Sequence, residues 1–170
     1  IESGRECVPA AVRGQVHPMD VKADYLDFLL KYKGDWSGLK IAMDVSNGMA
    51  SLFVRDIFGD DPAYIYEDMD GSFPNHEPNP LVQKNVEDLK KLVADTKADI
   101  GVIFDGDADR VMFVDENSRF ISPDLMIAVL GHYFLEERGE KGYIHQDIRS
   151  SKAVGEYLAP MGGVMNTWRV

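Results

Sequence analysis

Between Phe104 and Val111 the chain reads Asp105-Gly106-Asp107-Ala108-Asp109-Arg110, three carboxylates at alternate positions followed by a guanidinium. On an extended strand such carboxylates share one side but sit about 7 Å apart. A hard divalent cation takes oxygen ligands at roughly 2.0–2.6 Å, so sharing one cation requires the loop to curl. Gly106 and Ala108, the small residues between the acids, permit that curl. Carboxylates packed this tightly repel one another, and a cation among them is what makes the spacing reasonable. The chemistry indicated is divalent-metal binding in the service of phosphoryl transfer.

Three readings of the loop compete on the residues alone. The plainest is a solvated acidic turn, because runs of charge are usually surface. A second is a calcium-binding helix–loop–helix: counting Asp105 as position 1 places Glu116 at position 12. That reading fails, since position 6 is Arg110 where the tight turn needs Gly, and both flanks read as strands. In the third, an apolar strand ending in Asp-x-Asp resembles the nucleophile loop of haloacid-dehalogenase-type phosphatases, with Asp105 attacking and Asp107 as acid/base. That motif usually continues with Thr or Val and lies near a domain's N-terminus. Here Asp109 takes the position and two strands come first.

The elements that must place this loop follow from the hydrophobic pattern. Ile100–Phe104, apolar on both faces, reads as a central parallel strand, and Val111–Val114 as the strand leaving the loop. The acids therefore stand at the carboxyl end of a central strand, where open α/β sheets bind ligands. Upstream, Val21, Tyr25, Phe28, Leu29 and Tyr32 mark a helix stopped by Gly34. Leu39–Val45 is a short buried strand ended by Ser46-Asn47-Gly48, residues 49–58 a helix stopped at Gly59, and Ala63–Tyr66 a second strand. Met69 to Pro80 is a loop, and Pro80 opens a helix carrying Leu81, Val82, Val86, Leu89, Leu92 and Val93 on one face. Downstream, Arg119–Ile121 is a short returning strand, and Ser122-Pro123-Asp124 starts a helix that runs to Arg138-Gly139. Tyr143–Gln146, a helix over 151–158 and Val164–Thr167 repeat the alternation. The class is α/β, a mixed and mostly parallel sheet flanked by helices, followed by the opening of a second α/β domain. The expected divisions are a linker and terminal helix over 1–36, a metal-binding α/β domain over 37–122, and an incomplete further domain over 123–170.

Composition narrows the partners. With 18 Lys+Arg against 29 Asp+Glu the formal net charge is −11, which disfavours nucleic acid because phosphate neutralisation needs a cationic surface. The longest apolar runs fall far short of the roughly 20 residues of a membrane span, and no signal segment opens the chain. A single cysteine, Cys7 in the expected linker, excludes an intrachain disulfide and suits a cytoplasmic setting. Neither GxGxxG nor GxxxxGK is present, so nucleotide binding has no support.

Other polar residues carry weaker signals. His76, on a Pro/Asn loop, reads as a loop-ordering hydrogen-bond partner, since the four His show no metal-ligand spacing. Asp44 and Asn47 read as tying the turn after the first strand, and Asp60 and Asp61 as a solvated turn. Arg149, Ser150 and Ser151 precede a helix whose N–H groups could receive an anion, although Ser there is first of all a cap. Arg169 is either a cleft-facing cation or a strand-edge charge.

Three segments together resemble the α-D-phosphohexomutases, the phosphomannomutase/phosphoglucomutase family. Asp105–Arg110 is similar to that family's magnesium loop, Asp-Gly-Asp-(Gly or Ala)-Asp-Arg. Phe73-Pro74-Asn75-His76-Glu77-Pro78-Asn79-Pro80 resembles its Phe-Pro-Asn-His-x-Pro-x-Pro segment. Met43-Asp44-x-x-Asn47-Gly48 resembles its first-strand turn, with Ser46 where the family usually has Gly. Trp168-Arg169 is similar to a basic position near the start of the third domain. The resemblance implies a fragment of a four-domain enzyme: domain 2, the exit from domain 1 and the start of domain 3. It implies interconversion of hexose 1-phosphate and hexose 6-phosphate through a phosphoserine and a hexose 1,6-bisphosphate. In it Asp105, Asp107 and Asp109 hold Mg²⁺ and Arg110 lies beside the transferred phosphoryl group. Arg149, Ser150 and Arg169 are the candidates for binding the phosphosugar. The family's Thr-x-Ser-His-Asn-Pro serine segment and its sugar-selecting loop do not occur in these 170 residues, so the chain alone is expected not to turn over substrate and to need the remaining domains of its parent. A phosphatase with Asp105 as nucleophile and a non-catalytic metal-binding module stay open as alternatives. The Phe-Pro-Asn-His segment favours the mannose/glucose enzymes over the phosphoglucosamine branch.

Overall fold

The computed structural model describes residues 11, 12 and 14–169, so Cys7 and the start of the expected linker lie outside the described residues. The chain divides into a unit ending at Lys33 and a second starting at Gly34. In the first, helix α1 spans Lys22–Leu30, and Phe28 packs edge-on against Tyr32 with ring centroids 5.4 Å apart.

The second unit holds two sheets. The first is five-stranded, built from β1 (Ile41–Asp44), β2 (Ala63–Ile65), β3 (Ile100–Phe104), β4 (Val111–Asp115) and β5 (Phe120–Ile121) in the order β2-β1-β3-β4-β5. β1 pairs in parallel with both β2 and β3, whereas β3–β4 and β4–β5 are antiparallel. The acidic loop is thus the connection of the β3–β4 hairpin, at the middle of the sheet. The second sheet is the parallel pair β6 (Tyr143–Asp147) and β7 (Val164–Trp168). Its helices are α4 (Pro123–His132) and α5 (Lys152–Leu158). Parallel pairing therefore predominates, as the alternating pattern implies.

Helix α3 (Glu87–Thr96) lays Leu89 and Val93 on one face of the first sheet, against Ala42, Ile103 and Val114. The other face packs Val45 against Ala50 and Val54, the latter opening helix α2 (Val54–Phe58). Both caps predicted at Ser122 and Ser151 form: their hydroxyls accept from Leu125 N–H at 3.3 Å and Ala153 N–H at 3.2 Å.

Two helices differ from the sequence expectation. Residues 49–58 are a 3-10 turn (Met49–Leu52) and then α2, broken at Phe53, whose φ of −136° is not helical. Met49 N–H, which has no partner inside the turn, donates to the Gly106 carbonyl. The helix expected from Pro80 begins only at Glu87, after a 3-10 turn over Gln83–Val86. Asparagine side chains capture the intervening backbone: Leu81 N–H donates to Asn79 Oδ1, and Asn85 Nδ2 donates to the Asn79 carbonyl. The expected apolar face holds from Val86 to Val93, whereas Leu81 and Val82 are exposed ahead of the helix; Asn at both ends of that segment offers the backbone a competing set of bonds.

Candidate metal centre

Three separated stretches of sequence meet at the carboxyl end of β1 and β3. The turn after β1 places Ser46 and Asn47 at positive φ, 54° and 52°, a left-handed pair that reverses the chain at once. Gly48 follows because nothing larger fits: a Cβ there would lie 2.8 Å from the Gly106 carbonyl oxygen. Met49 N–H donates to that oxygen at 2.9 Å, and Ser46 Oγ donates to the Phe104 carbonyl at 2.7 Å. From the third stretch, Asn75 Nδ2 donates to Asn47 Oδ1 at 2.8 Å, and His76 Nε2 shares a 3.0 Å hydrogen bond with Asp44 Oδ2. Phe73 and Pro78 close over Gly106, where an added Cβ would meet them at 3.4 and 3.3 Å.

Within this frame the loop curls. Asp105 N–H donates to the Arg110 carbonyl, closing the hairpin, and Ala108 N–H returns to the Asp105 carbonyl. The left-handed residue is Ala108, with φ of 62°, and not Gly106. Gly106 is small for a different reason, the close approach of Phe73 and Pro78. As a result, carboxylate oxygens of Asp105, Asp107 and Asp109 lie within 4.8 Å of one another, close enough for all three to contact one ion. An all-carboxylate donor set suits a hard cation such as Mg²⁺ or Mn²⁺. Asp105 is buried, while Asp107 and Asp109 are exposed.

The electrostatics record the crowding. Burial alone would raise the Asp105 pKa, but the Arg110 backbone N–H, its guanidinium and a bond with Asp109 together hold it below the ordinary carboxylate range. Asp109 is pushed up, first by its hydrogen bond with Asp105 and then by the charge of Asp107. Arg110 folds onto the acids, with Nε 2.6 Å from Asp105 Oδ2 and 3.5 Å from Asp109 Oδ1. Half its side chain remains exposed, so the rest of the fork stays open to an anion.

The candidates for the phosphosugar lie away from the acidic loop. Arg149 donates through Nη2 to Asp147 at 2.6 Å, Ser150 N–H donates to the Asp147 carbonyl, and Ser151 caps α5. Arg169 is exposed just past β7. The expected solvated turn after Gly59 is exposed, with Asp60 paired to Arg55. Asp44 and Asn47 tie the turn as expected: Asp44 Oδ1 accepts from Ser46 N–H, and Asn47 Nδ2 donates to the Asp68 carbonyl. Sequence reasoning missed Tyr66, which has φ of 57°, stands edge-on to His76 at 5.4 Å and donates its hydroxyl to Asp88. Burial is the main cause that raises its pKa to about 12. No motif marks that tyrosine; only the meeting of β2, the 73–80 loop and α3 gives it a place.

A mixed sheet that gathers an acidic loop, an Asn-Gly turn and a Pro/Asn loop at one end defines a phosphohexomutase second domain. Residues 23–118 match the family described as phosphoglucomutase/phosphomannomutase, alpha/beta/alpha domain II, and the chain belongs to that family. It is 32% identical over 155 residues to a phosphomannomutase of Methanocaldococcus jannaschii, covering 89% of this chain and 34% of that one. It is 39% identical over 118 residues to a phosphoglucosamine mutase of Streptococcus equi, covering 68% of this chain and 25% of the other. A solved phosphoglucomutase/phosphomannomutase family protein from Burkholderia thailandensis superposes with a TM-score of 0.80 at 27% identity, over 89% of this chain and 33% of that one. The likeness therefore reaches well past the three motifs, into the second sheet. The chain spans between a quarter and about a third of the length of these relatives. Their names cover more than one sugar, so they carry the phosphohexose class and not the sugar.

Proposed function

We propose that this chain supplies the metal-binding domain of a cytoplasmic phosphohexomutase that interconverts hexose 1-phosphate and hexose 6-phosphate, with mannose or glucose as the sugar. The observation that carries the reading is the meeting of Asp105, Asp107 and Asp109 oxygens within 4.8 Å at the end of β3. These three carboxylates would hold Mg²⁺. When bound, the cation supplies fixed positive charge against a phosphoryl group carried on a serine of another domain.

The chain's own residues do the rest. Asp105, held as a carboxylate by Arg110, gives the site one preformed anionic ligand inside the fold. Asp107 and Asp109 project from the exposed tip, where a phosphorylated partner can approach. The free side of the Arg110 guanidinium can pair two phosphoryl oxygens at once and hold the group for in-line transfer. Arg149, Ser150 and Arg169 are the candidates for binding the phosphosugar, and a hexose 1,6-bisphosphate the expected intermediate.

Phosphorus NMR on the intact enzyme tests this. Mannose 1-phosphate, Mg²⁺ and a trace of hexose bisphosphate should give a hexose 6-phosphate signal without inorganic phosphate. Accumulation of inorganic phosphate would instead make Asp105 a phosphatase nucleophile.

A further inference from the structure

Beside the acidic loop lies a buried polar group that the metal reading leaves without a task. Asp44 has no exposed surface, and a buried carboxylate costs stability unless it is paired and hydrogen-bonded. Its Oδ2 shares the 3.0 Å bond with His76 Nε2, whose side chain is only 7% exposed. Its Oδ1 accepts from Ser46 N–H at 2.8 Å, which holds a non-glycine residue in the left-handed region. Ser46 Oγ then donates to the carbonyl of Phe104, the residue directly before Asp105.

The imidazole is fixed from its other side as well. Its Nδ1 lies 2.9 Å from the Glu77 carbonyl, and Tyr66 stands against the ring. A buried carboxylate–imidazole pair adds little to stability alone, because apolar side chains of similar volume are often as stabilising. This relay, moreover, ends at the Phe104 carbonyl, one peptide bond from the Asp105 carboxylate's own residue. Resting on the divalent-cation reading of the acidic loop, we propose that His76 is a positioning residue for that site: through Asp44 and Ser46 it fixes the Phe104 carbonyl, and with it the Asp105 carboxylate, in place for metal. Groups that orient ligands in this way alter metal affinity about 10–100-fold.

The test is Mn²⁺ affinity of the intact protein, read by water-proton relaxation, beside amide NMR without metal. His76→Ala and Ser46→Ala should each weaken Mn²⁺ about tenfold, and the double variant should be no weaker than the worse single, because both cut one relay. The metal-free Asp105 amide resonance should move in both. His76→Gln, which keeps an N–H for Asp44, should recover most of the affinity. Leu92→Ala, which loosens the packing on α3, should lower the melting temperature without changing affinity. Should His76→Ala not fold, Ser46→Ala decides, since it keeps the His76–Asp44 hydrogen bond. Wild-type affinity in both singles, or multiplicative losses in the double, would overturn the positioning role while leaving the metal site intact. A wild type that binds no Mn²⁺ overturns the metal reading itself, and this role with it.

Discussion

Met49 donates its backbone N–H to the Gly106 carbonyl at 2.9 Å, joining the turn after the first strand to the first residue past the buried Asp105. Residues nearly sixty positions apart thus share one backbone frame. That frame shapes the acidic loop.

Gly48→Ala should separate the two turns. Its Cβ would lie 2.8 Å from the Gly106 oxygen and 3.1 Å from the Asp105 oxygen, both backbone atoms that cannot rotate away. Overpacking of this kind costs about 1–3 kcal/mol. Urea unfolding checks it, together with the amide shifts of Asp105 and Gly106. Unchanged stability and shifts would mean the turns are free to move apart.

On the proposed function, Asp107→Asn in the intact parent enzyme should weaken cation binding and turnover at least tenfold while leaving the melting temperature within about 2 °C, because the side chain is exposed. Calorimetry with Mn²⁺ and a thermal melt on the same sample separate the two effects. A collapsed melting temperature with normal turnover per folded molecule would reverse the assignment.

His76 should titrate above its ordinary value of 6.5, chiefly through its hydrogen bond to Asp44. A raised folded value means that its contribution to stability is fully present below the unfolded pKa and is lost as pH rises through the folded one. Asp44→Asn should remove the elevation. Imidazole NMR shifts against pH measure both, and a His76 midpoint at or below 6.5 in the wild type would contradict the pairing.

Leu89→Ala should cost about 2–5 kcal/mol, as for other fully buried leucines truncated within a packed core. Leu89 joins α3 to β1, β3 and β4 through Ala42, Ile103 and Val114. Denaturant midpoints of the variant and the wild type give the value. A loss under 0.5 kcal/mol would place α3 outside the core.

The strands, the capped helices and the clustering of the acidic loop are legible in the sequence because each is a local pattern: an apolar run, a Ser before a helix, acids at alternate positions. Period alone could not set where α3 begins, since the Asn79 and Asn85 side chains compete for the backbone ahead of it. The roles of Gly106 and Ala108 were likewise hidden. Composition allows a left-handed turn at either; the fold puts it at Ala108, while the approach of Phe73 and Pro78 keeps Gly106 small. The turn-tying bonds of Asp44 and Asn47 were foreseen from residue type. That His76 would reach Asp44, and Ser46 the Phe104 carbonyl, depends on pairing β1 with β3, which no short window of sequence contains.

The most direct measurement is a Mg²⁺ titration followed through backbone amide resonances. The resonances of residues 105–110 should move saturably, with Met49 following through its bond to Gly106 and α5 unaffected. Amide shifts in 105–110 that stay unchanged to millimolar Mg²⁺ would contradict the cation site, and with it the phosphohexomutase role assigned to this loop.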